Sequence, residues 1–126
     1  MSGRSVFIAE GEIHVRDALR LMFENQNGFV ILGEAGHAES LIAQVCQKPP
    51  DLLLLDWNLP GSHHPRLVRT LRDYCPTTCI LVTSVQPEQS RNALELGVDG
   101  FLLKQLPPDQ FFKVLVAALE KYKEGK

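Results

Sequence analysis

An acidic residue directly after a run of leucines is the feature of this sequence with the clearest chemical meaning. Residues 52–55 are all leucine, Asp56 follows them, and Pro60-Gly61 then predicts a turn. A segment that is apolar at every position favours a short strand covered on both faces. Chemistry in an open parallel sheet gathers at the carboxyl ends of the strands, where Asp56 would lie. A carboxylate there can attack phosphorus to form an aspartyl phosphate, although a lone Asp after a strand more often starts a loop or caps a helix.

Three more polar side chains stand where other predicted strands end. Glu10 follows the first apolar run, Thr83 the fourth and Lys104 the fifth. Taken singly, each has an ordinary explanation as an acid at a helix start, a β-branched strand residue or a solvated lysine. Together with Asp56 they suit a phosphoryl group. The acids would hold a hard divalent ion such as Mg²⁺, Lys104 would neutralise phosphoryl charge, and Thr83 would bond a phosphoryl oxygen.

Short apolar runs alternate with longer amphipathic segments, a pattern typical of strands and helices in βαβ units. Crossovers of this kind are right-handed and produce a parallel sheet with helices on both faces. We therefore expect an α/β fold, a flavodoxin-like (βα)5 doubly wound five-stranded sheet with strand order 2-1-3-4-5. The predicted strands are Val6–Ala9, Phe29–Leu32, Leu52–Leu55, Cys79–Val82 and Phe101–Leu103. The predicted helices begin near Ile13, span about Ala38 to Gln47 and Pro65 to Tyr74, run from Pro87 to Gly97, and open at Pro107-Pro108-Asp109.

Composition restricts the class of protein. The 126 residues, 44% of them hydrophobic and 22% charged, predict a single domain spanning residues 1–126. The net charge of −2, with scattered Lys and Arg, argues against a nucleic-acid surface within the domain. The apolar runs are too short to cross a membrane, and no signal peptide precedes them. Three cysteines without metal-ligand spacing favour a reducing, cytoplasmic location.

Between Val6 and about Tyr122 the sequence resembles the receiver domain of two-component response regulators. The matching segments are Leu52–Gly61, Leu81–Ser84 and Gly97–Lys104, and the last is most similar to the NarL/LuxR-type branch. The resemblance implies that Asp56 is the phosphoacceptor, Thr83 the switch hydroxyl and Lys104 the lysine that contacts the phosphoryl group. Phe101 would be an aromatic whose rotamer reports activation, although an ordinary aromatic on the last strand explains it nearly as well.

The same resemblance implies a signalling role rather than an enzymatic one. Asp56 would be phosphorylated by a sensor histidine kinase, and the domain would self-associate as a homodimer. Transcription would be controlled through a C-terminal DNA-binding domain that is absent from this chain. Mg²⁺ would be held by Glu10, Asp56 and the backbone carbonyl of Asn58.

One departure from the family stands at the acidic pair. Two adjacent acids are expected after the first strand, but here Glu10 is followed by Gly11. We therefore expect a weakened Mg²⁺ site. Whether Glu12, a water molecule or the longer side chain of Glu10 takes the place of the missing acid is left open by the sequence. The alternative is a pseudo-receiver that acts as a protein-interaction module with weak or no Mg²⁺-dependent phosphorylation. A flavodoxin-like cofactor binder is less favoured, because the acidic loop would repel phosphate. His63 and His64 are predicted to be surface loop residues.

Overall fold

The alternation of apolar runs and amphipathic segments builds the expected succession of strands and helices. The computed structural model describes residues 3–124. In that part of the chain, no helix is both long enough and apolar enough to span a membrane. The elements are β1 (Arg4–Ala9), α1 (Ile13–Glu24), β2 (Phe29–Ala35), α2 (Ala38–Gln47), β3 (Leu52–Asp56), α3 (His64–Tyr74), β4 (Cys79–Ser84), a 3₁₀ turn (Pro87–Gln89), α4 (Ser90–Glu95), β5 (Gly100–Leu103) and α5 (Pro108–Glu124).

The five strands form one parallel sheet in the order β2-β1-β3-β4-β5, which confirms the predicted topology. The leucine strand β3 lies in the centre, and all five of its residues are buried. Its last residue, Asp56, is paired in register with Thr83 of β4. The phosphoacceptor candidate and the hydroxyl candidate therefore end adjacent strands.

Helices cover both faces of the sheet, and the two faces explain why β3 is apolar throughout. Leu53 and Leu55 pack in a core shared with α2, α3 and α4, whereas Leu52 and Leu54 pack in a core shared with α1 and α5. Successive side chains of a strand point to opposite faces, so a strand covered on both sides has no position left for a polar residue. Asp56 is the first residue of β3 that reaches beyond these two cores.

The other strands extend at most two residues beyond their predicted limits, and two elements differ by more. Strand β2 continues to Ala35 rather than stopping at Leu32, because an edge strand tolerates polar residues and the Glu34 side chain pairs with Arg20 of α1. The segment after Pro87 begins as a 3₁₀ turn, so α4 is only six residues long. Its end agrees with the prediction, since Gly97 has a positive φ of 95° that an L side chain rarely adopts.

Candidate functional site

The carboxyl ends of β1, β3 and β5 bring Glu10, Asp56 and Lys104 into direct contact. Lys104 Nζ lies 2.9 Å from Glu10 Oε1 and 2.9 Å from Asp56 Oδ1. The side chains of Glu10 and Asp56 are only 2% and 5% exposed, and that of Lys104 is 17% exposed. The convergence that the sequence predicts is therefore present in the fold. With both acids ionised, this carboxyl-edge cluster (Glu10, Asp56, Lys104) has a net charge of −1.

Backbone N–H groups orient the Asp56 carboxylate further. The amide of Asn58 donates to Oδ1 at 3.0 Å, and the amide of Gly11 donates to Oδ2 at 3.2 Å. Together with Lys104, which also donates to Oδ1, these bonds hold the carboxylate from two sides. Donors fixed in this way are suited to stabilise negative charge that develops on neighbouring oxygens.

The Glu10 carboxylate is less well satisfied. Its Oε2 accepts a hydrogen bond from the Glu12 amide at 3.0 Å, but Oε1 is buried and has the Lys104 ammonium beside it without the direction of a hydrogen bond. Burial raises the pKa of Glu10, against the opposing effects of Lys104 and the Glu12 amide. A buried acid with an unsatisfied oxygen is a site that can accept a further cation or donor.

Lys104 stays charged despite its partial burial. Desolvation alone would lower the pKa of its ammonium, but the hydrogen bond to Asp56 and the close carboxylate of Glu10 outweigh that effect, so the pKa is raised. The lysine is thus a permanent positive charge at the carboxyl edge of the sheet at neutral pH.

Thr83 is buried beside Asp56, and its hydroxyl is not engaged. Within residues 3–124 that hydroxyl forms no hydrogen bond, although the residue is only 1% exposed. Thr83 and Lys104 line one end of a cavity of about 320 Å³ between α1 and the segment after β5. Phe101 lies elsewhere: it is half-buried on β5, next to Val82, and packs against the core on the α2–α4 face.

Gly11 is the residue at which the resemblance leads us to expect a second acid. A Cβ at this residue would lie 3.7 Å from Asp56 Oδ2 and only 2.7 Å from Cδ of Pro60. The position therefore faces the site but contributes no carboxylate. The Glu12 side chain instead caps α1 by accepting a hydrogen bond from the Val15 amide at 3.1 Å.

The remaining oxygen atoms fit a divalent cation with few protein ligands. Glu10 and Asp56 supply two carboxylates, and the exposed Asn58 has a carbonyl that accepts no hydrogen bond within the described residues. Mg²⁺ is often held by one or two carboxylates while it keeps several waters. No group of three acidic, His or Cys side chains that could bind a metal occurs in residues 3–124, so the candidate ligands at this site are two carboxylates and one carbonyl.

Two further residues at the site had no recognisable signal in the sequence. Arg16 of α1 donates from Nη1 to the Glu10 carbonyl at 2.7 Å. His64 is half-buried rather than a plain surface residue, because its ring stacks on Trp57 at 3.7 Å and bonds to the Trp57 carbonyl. Its neighbour His63 is exposed, in agreement with the prediction. Each contact joins a residue outside a helix (Glu10 or Trp57) to one within it (Arg16 in α1 or His64 in α3), so the periodicity of a single element does not reveal it.

The fold and this cluster define a class of protein. It is a doubly wound α/β domain with an acidic pocket and a lysine at the carboxyl edge of its sheet. The response regulator receiver domain model matches residues 6–116. The chain therefore belongs to the response regulator receiver domain family. Receiver domains of this family generally bind Mg²⁺ at their phosphorylation site and act with histidine kinases, as components of two-component systems.

Individual relatives agree with this assignment. The chain is 30% identical over 129 residues to the phosphate regulon transcriptional regulatory protein PhoB of Pseudomonas aeruginosa, covering 99% of this chain and 56% of PhoB. It is 29% identical to the nitrate/nitrite response regulator protein NarL of Escherichia coli, covering 88% of this chain and 52% of NarL. The signal receiver domain of NarL from Mycobacterium tuberculosis has the same fold, with a TM-score of 0.84, 22% identity and coverage of 95% and 98%. The chain spans about half the length of the curated relatives it matches.

Proposed function

We propose that Asp56 is the phosphoacceptor of this receiver domain and that a sensor histidine kinase is its phosphodonor. The observation that supports this most directly is the environment of Asp56, whose carboxylate is held by one ammonium and two backbone amides beside an unengaged threonine hydroxyl. Receiver function in two-component signalling is what family membership establishes. Assignment of the chemistry to Asp56 is what the geometry supports.

The transfer follows from the charges at the site. A carboxylate oxygen of Asp56 attacks the phosphorus of a phosphohistidine, a P–O bond forms, and the P–N bond breaks with its electron pair leaving on the imidazole nitrogen. Lys104, whose positive charge is paired with the Asp56 carboxylate in the resting protein, then neutralises negative charge on the phosphoryl oxygens. The Thr83 hydroxyl is free to donate to one of these oxygens, since it has no other partner within residues 3–124.

Glu10, Asp56 and the Asn58 carbonyl would hold Mg²⁺, which supplies further neutralisation of phosphoryl charge when bound. The absence of a carboxylate at Gly11 makes this site weaker than one with two adjacent acids. Movement of Thr83 towards the phosphoryl group would shift the end of β4, and we expect Phe101, which is paired with Val82 across β4 and β5, to change its rotamer in response.

The wider role follows from the family rather than from this geometry. We infer that residues 1–126 form one receiver domain that works in the cytoplasm as a non-enzymatic switch. Homodimerisation and an effector domain elsewhere in the protein would convert phosphorylation into control of transcription through DNA.

A phosphodonor experiment with an Asp56→Asn control tests the proposal. The purified domain, incubated with Mg²⁺ and a small-molecule phosphodonor, should gain the mass of one phosphoryl group by intact-protein mass spectrometry. Asp56→Asn should gain none, because a carboxamide is not a nucleophile for phosphorus. The same mass gain in Asp56→Asn would place the acceptor elsewhere and overturn the assignment.

A pseudo-receiver is the second candidate, and the observation that favours it is that Gly11 brings no carboxylate to the site, while a Cβ there would lie 2.7 Å from Cδ of Pro60. Trp57 follows Asp56 directly, so its fluorescence should report an ion in the pocket and show a weak, saturable response to Mg²⁺. Gly11→Asp should tighten Mg²⁺ binding by about tenfold, because it adds a carboxylate ligand. Gly11→Ala is the matched control, because it introduces the same 2.7 Å contact with Pro60 and no ligand. A flat titration in both the wild type and Gly11→Asp, with no phosphoryl gain, would favour the pseudo-receiver.

A further inference from the structure

The peptide between Glu10 and Gly11 is held from both sides. Its carbonyl oxygen accepts a hydrogen bond from Arg16 Nη1 at 2.7 Å, and its N–H donates to Asp56 Oδ2 at 3.2 Å. The amide of Glu10 makes the last pairing with β2, to the carbonyl of Ala35 at 3.0 Å. Beyond that point the sheet no longer determines how the backbone is oriented.

The fold makes room for Arg16 at this place. Its side chain is 19% exposed, and Nε lies 3.6 Å from Glu34 Oε1. A Cβ at residue 36 would lie 2.7 Å from Arg16 Nη1, so Gly36 is what allows the guanidinium to lie against the backbone there. The guanidinium therefore reaches the Glu10 carbonyl through a gap between α1 and the end of β2.

Glycine at position 11 explains why such an anchor matters. A glycine restricts its own backbone less than any other residue, so the orientation of the Glu10–Gly11 peptide must be set by an outside contact. The peptide group is planar and trans, so its C=O and N–H point in opposite directions. Pinning the carbonyl towards Arg16 thus aims the Gly11 N–H towards Asp56.

We propose that Arg16 is a positioning residue for the phosphoacceptor, acting through the Glu10–Gly11 peptide to orient Asp56. The expected effect of Arg16 on phosphorylation rests on the proposed role of Asp56. The expected effect of Arg16 on the orientation of the Gly11 amide does not. Without Arg16 the peptide can turn, and Asp56 Oδ2 loses the one hydrogen bond it receives within the described residues. The rate constant for phosphoryl uptake should then fall by about tenfold, as expected for a misoriented reacting group.

Arg20 is the matched control. It lies one turn further along α1 and contacts Glu34 and Asp17, but it makes no contact with the Glu10–Gly11 peptide. Arg16→Met and Arg20→Met each remove a guanidinium beside Glu34, so both should lower the melting temperature to a similar extent. Only Arg16→Met should shift the NMR resonance of the Gly11 amide and slow phosphoryl uptake at saturating Mg²⁺ and phosphodonor.

Two more variants keep the test independent of folding defects. Gly36→Ala leaves the charge of Arg16 in place but pushes its guanidinium away from the carbonyl, and it should shift the Gly11 amide as Arg16→Met does. Arg16→Lys retains one donor on a flexible chain and should recover part of the uptake rate. An unchanged Gly11 resonance in both Arg16→Met and Gly36→Ala, or equal slowing in Arg20→Met, would overturn the proposal.

The amide resonance also separates the two proposals. If the wild type takes up no phosphoryl group, the proposed function fails, yet the Gly11 shift still decides whether Arg16 orients the peptide. If uptake occurs and Arg16→Met leaves both rate and resonance unchanged, only the positioning role fails.

Discussion

Two charged clusters stand at opposite edges of the same sheet, and their hydrogen bonding differs. At the carboxyl edge, the Lys104 ammonium forms ion pairs with both Glu10 and Asp56. Oε1 of Glu10 accepts no hydrogen bond within residues 3–124. At the amino edge, the pair of Arg72 and Asp99, here the amino-edge cluster, lies 2.7 Å apart with one charge of each sign.

Every contact of the amino-edge cluster joins separate elements. Arg72 donates from Nη1 to the Thr78 carbonyl at 2.8 Å and from Nη2 to the Gly97 carbonyl at 2.9 Å. Asp99 Oδ2 accepts the Ile80 amide at 2.9 Å in addition to Arg72. The cluster thereby ties the end of α3 to the beginnings of β4 and β5.

Charge balance and hydrogen bonding separate a structural cluster from a reactive one. The amino-edge cluster is neutral, and its Arg72 guanidinium and Asp99 Oδ2 are both hydrogen-bonded to backbone groups. The carboxyl-edge cluster has an excess acid, an unsatisfied oxygen and a neighbouring free hydroxyl. Partly satisfied polar groups of this kind weaken a fold, and their presence in a buried site indicates a function.

The largest expected effect follows from breaking the amino-edge cluster. Arg72→Met removes three hydrogen bonds and leaves Asp99 half-buried, so the free energy of unfolding should fall by about 2–3 kcal/mol. Arg69, exposed on the same helix and without an ion pair or side-chain hydrogen bond in the described residues, is the control. Urea denaturation followed by Trp57 fluorescence measures both. Equal losses in Arg72→Met and Arg69→Met would mean that the cluster is not structural.

Two buried threonines, one near each edge of the sheet, allow the hydrogen bonding at the two edges to be compared by substitution. Thr78 and Thr83 are each 1% exposed, but only the Thr78 hydroxyl is bonded, to the Pro50 carbonyl at 2.6 Å. Thr78→Val should lower the free energy of unfolding by about 1–2 kcal/mol, because it leaves a buried carbonyl unpaired. Thr83→Val should change it by less than about 0.5 kcal/mol, because no bond is lost. A larger loss in Thr83→Val than in Thr78→Val would show that the Thr83 hydroxyl is engaged in the resting protein.

The smallest expected effect is a change of the free energy of unfolding with pH, which arises from the ionisation of Glu10. Burial raises the pKa of this carboxyl in the folded state above its ordinary value of 4.5. Below that pH the group is protonated in both states. As the pH rises, Glu10 loses its proton first in the unfolded state. The contribution of Glu10 to the free energy of unfolding is therefore lost as the pH rises through the pKa of Glu10 in the folded state.

The wild type should therefore become less stable relative to Glu10→Gln as the pH rises from 4.5 towards neutrality. Urea denaturation of both proteins across that range measures the difference. A difference that stays constant or changes in the opposite direction would mean that the folded protein does not raise the pKa of Glu10.

Local patterns in the sequence were sufficient for the fold and for the members of the cluster. The apolar leucine strand predicted a central strand, and its ending at Asp56 placed an acid at the carboxyl edge. The limits of β2 and α4 were less well predicted, because an edge strand and a single 3₁₀ turn have weak patterns of their own. The roles of Asp56, Thr83, Lys104 and Phe101 stay predictions, and the phosphodonor experiment above tests that of Asp56.

The sequence by itself determined that Glu10, Asp56 and Lys104 lie close together. The reason is that the alternation of strands and helices, with this strand order, brings the same strand ends together in any (βα)5 sheet. Only the tertiary structure decided how those residues share their hydrogen bonds. The contact of Arg16 with the Glu10 carbonyl and the stacking of His64 on Trp57 depend on side-chain directions that no periodicity encodes. The physical reason is that secondary-structure patterns specify which face a residue occupies, whereas the partner of a polar atom depends on distances of a few tenths of an ångström between elements far apart in the chain.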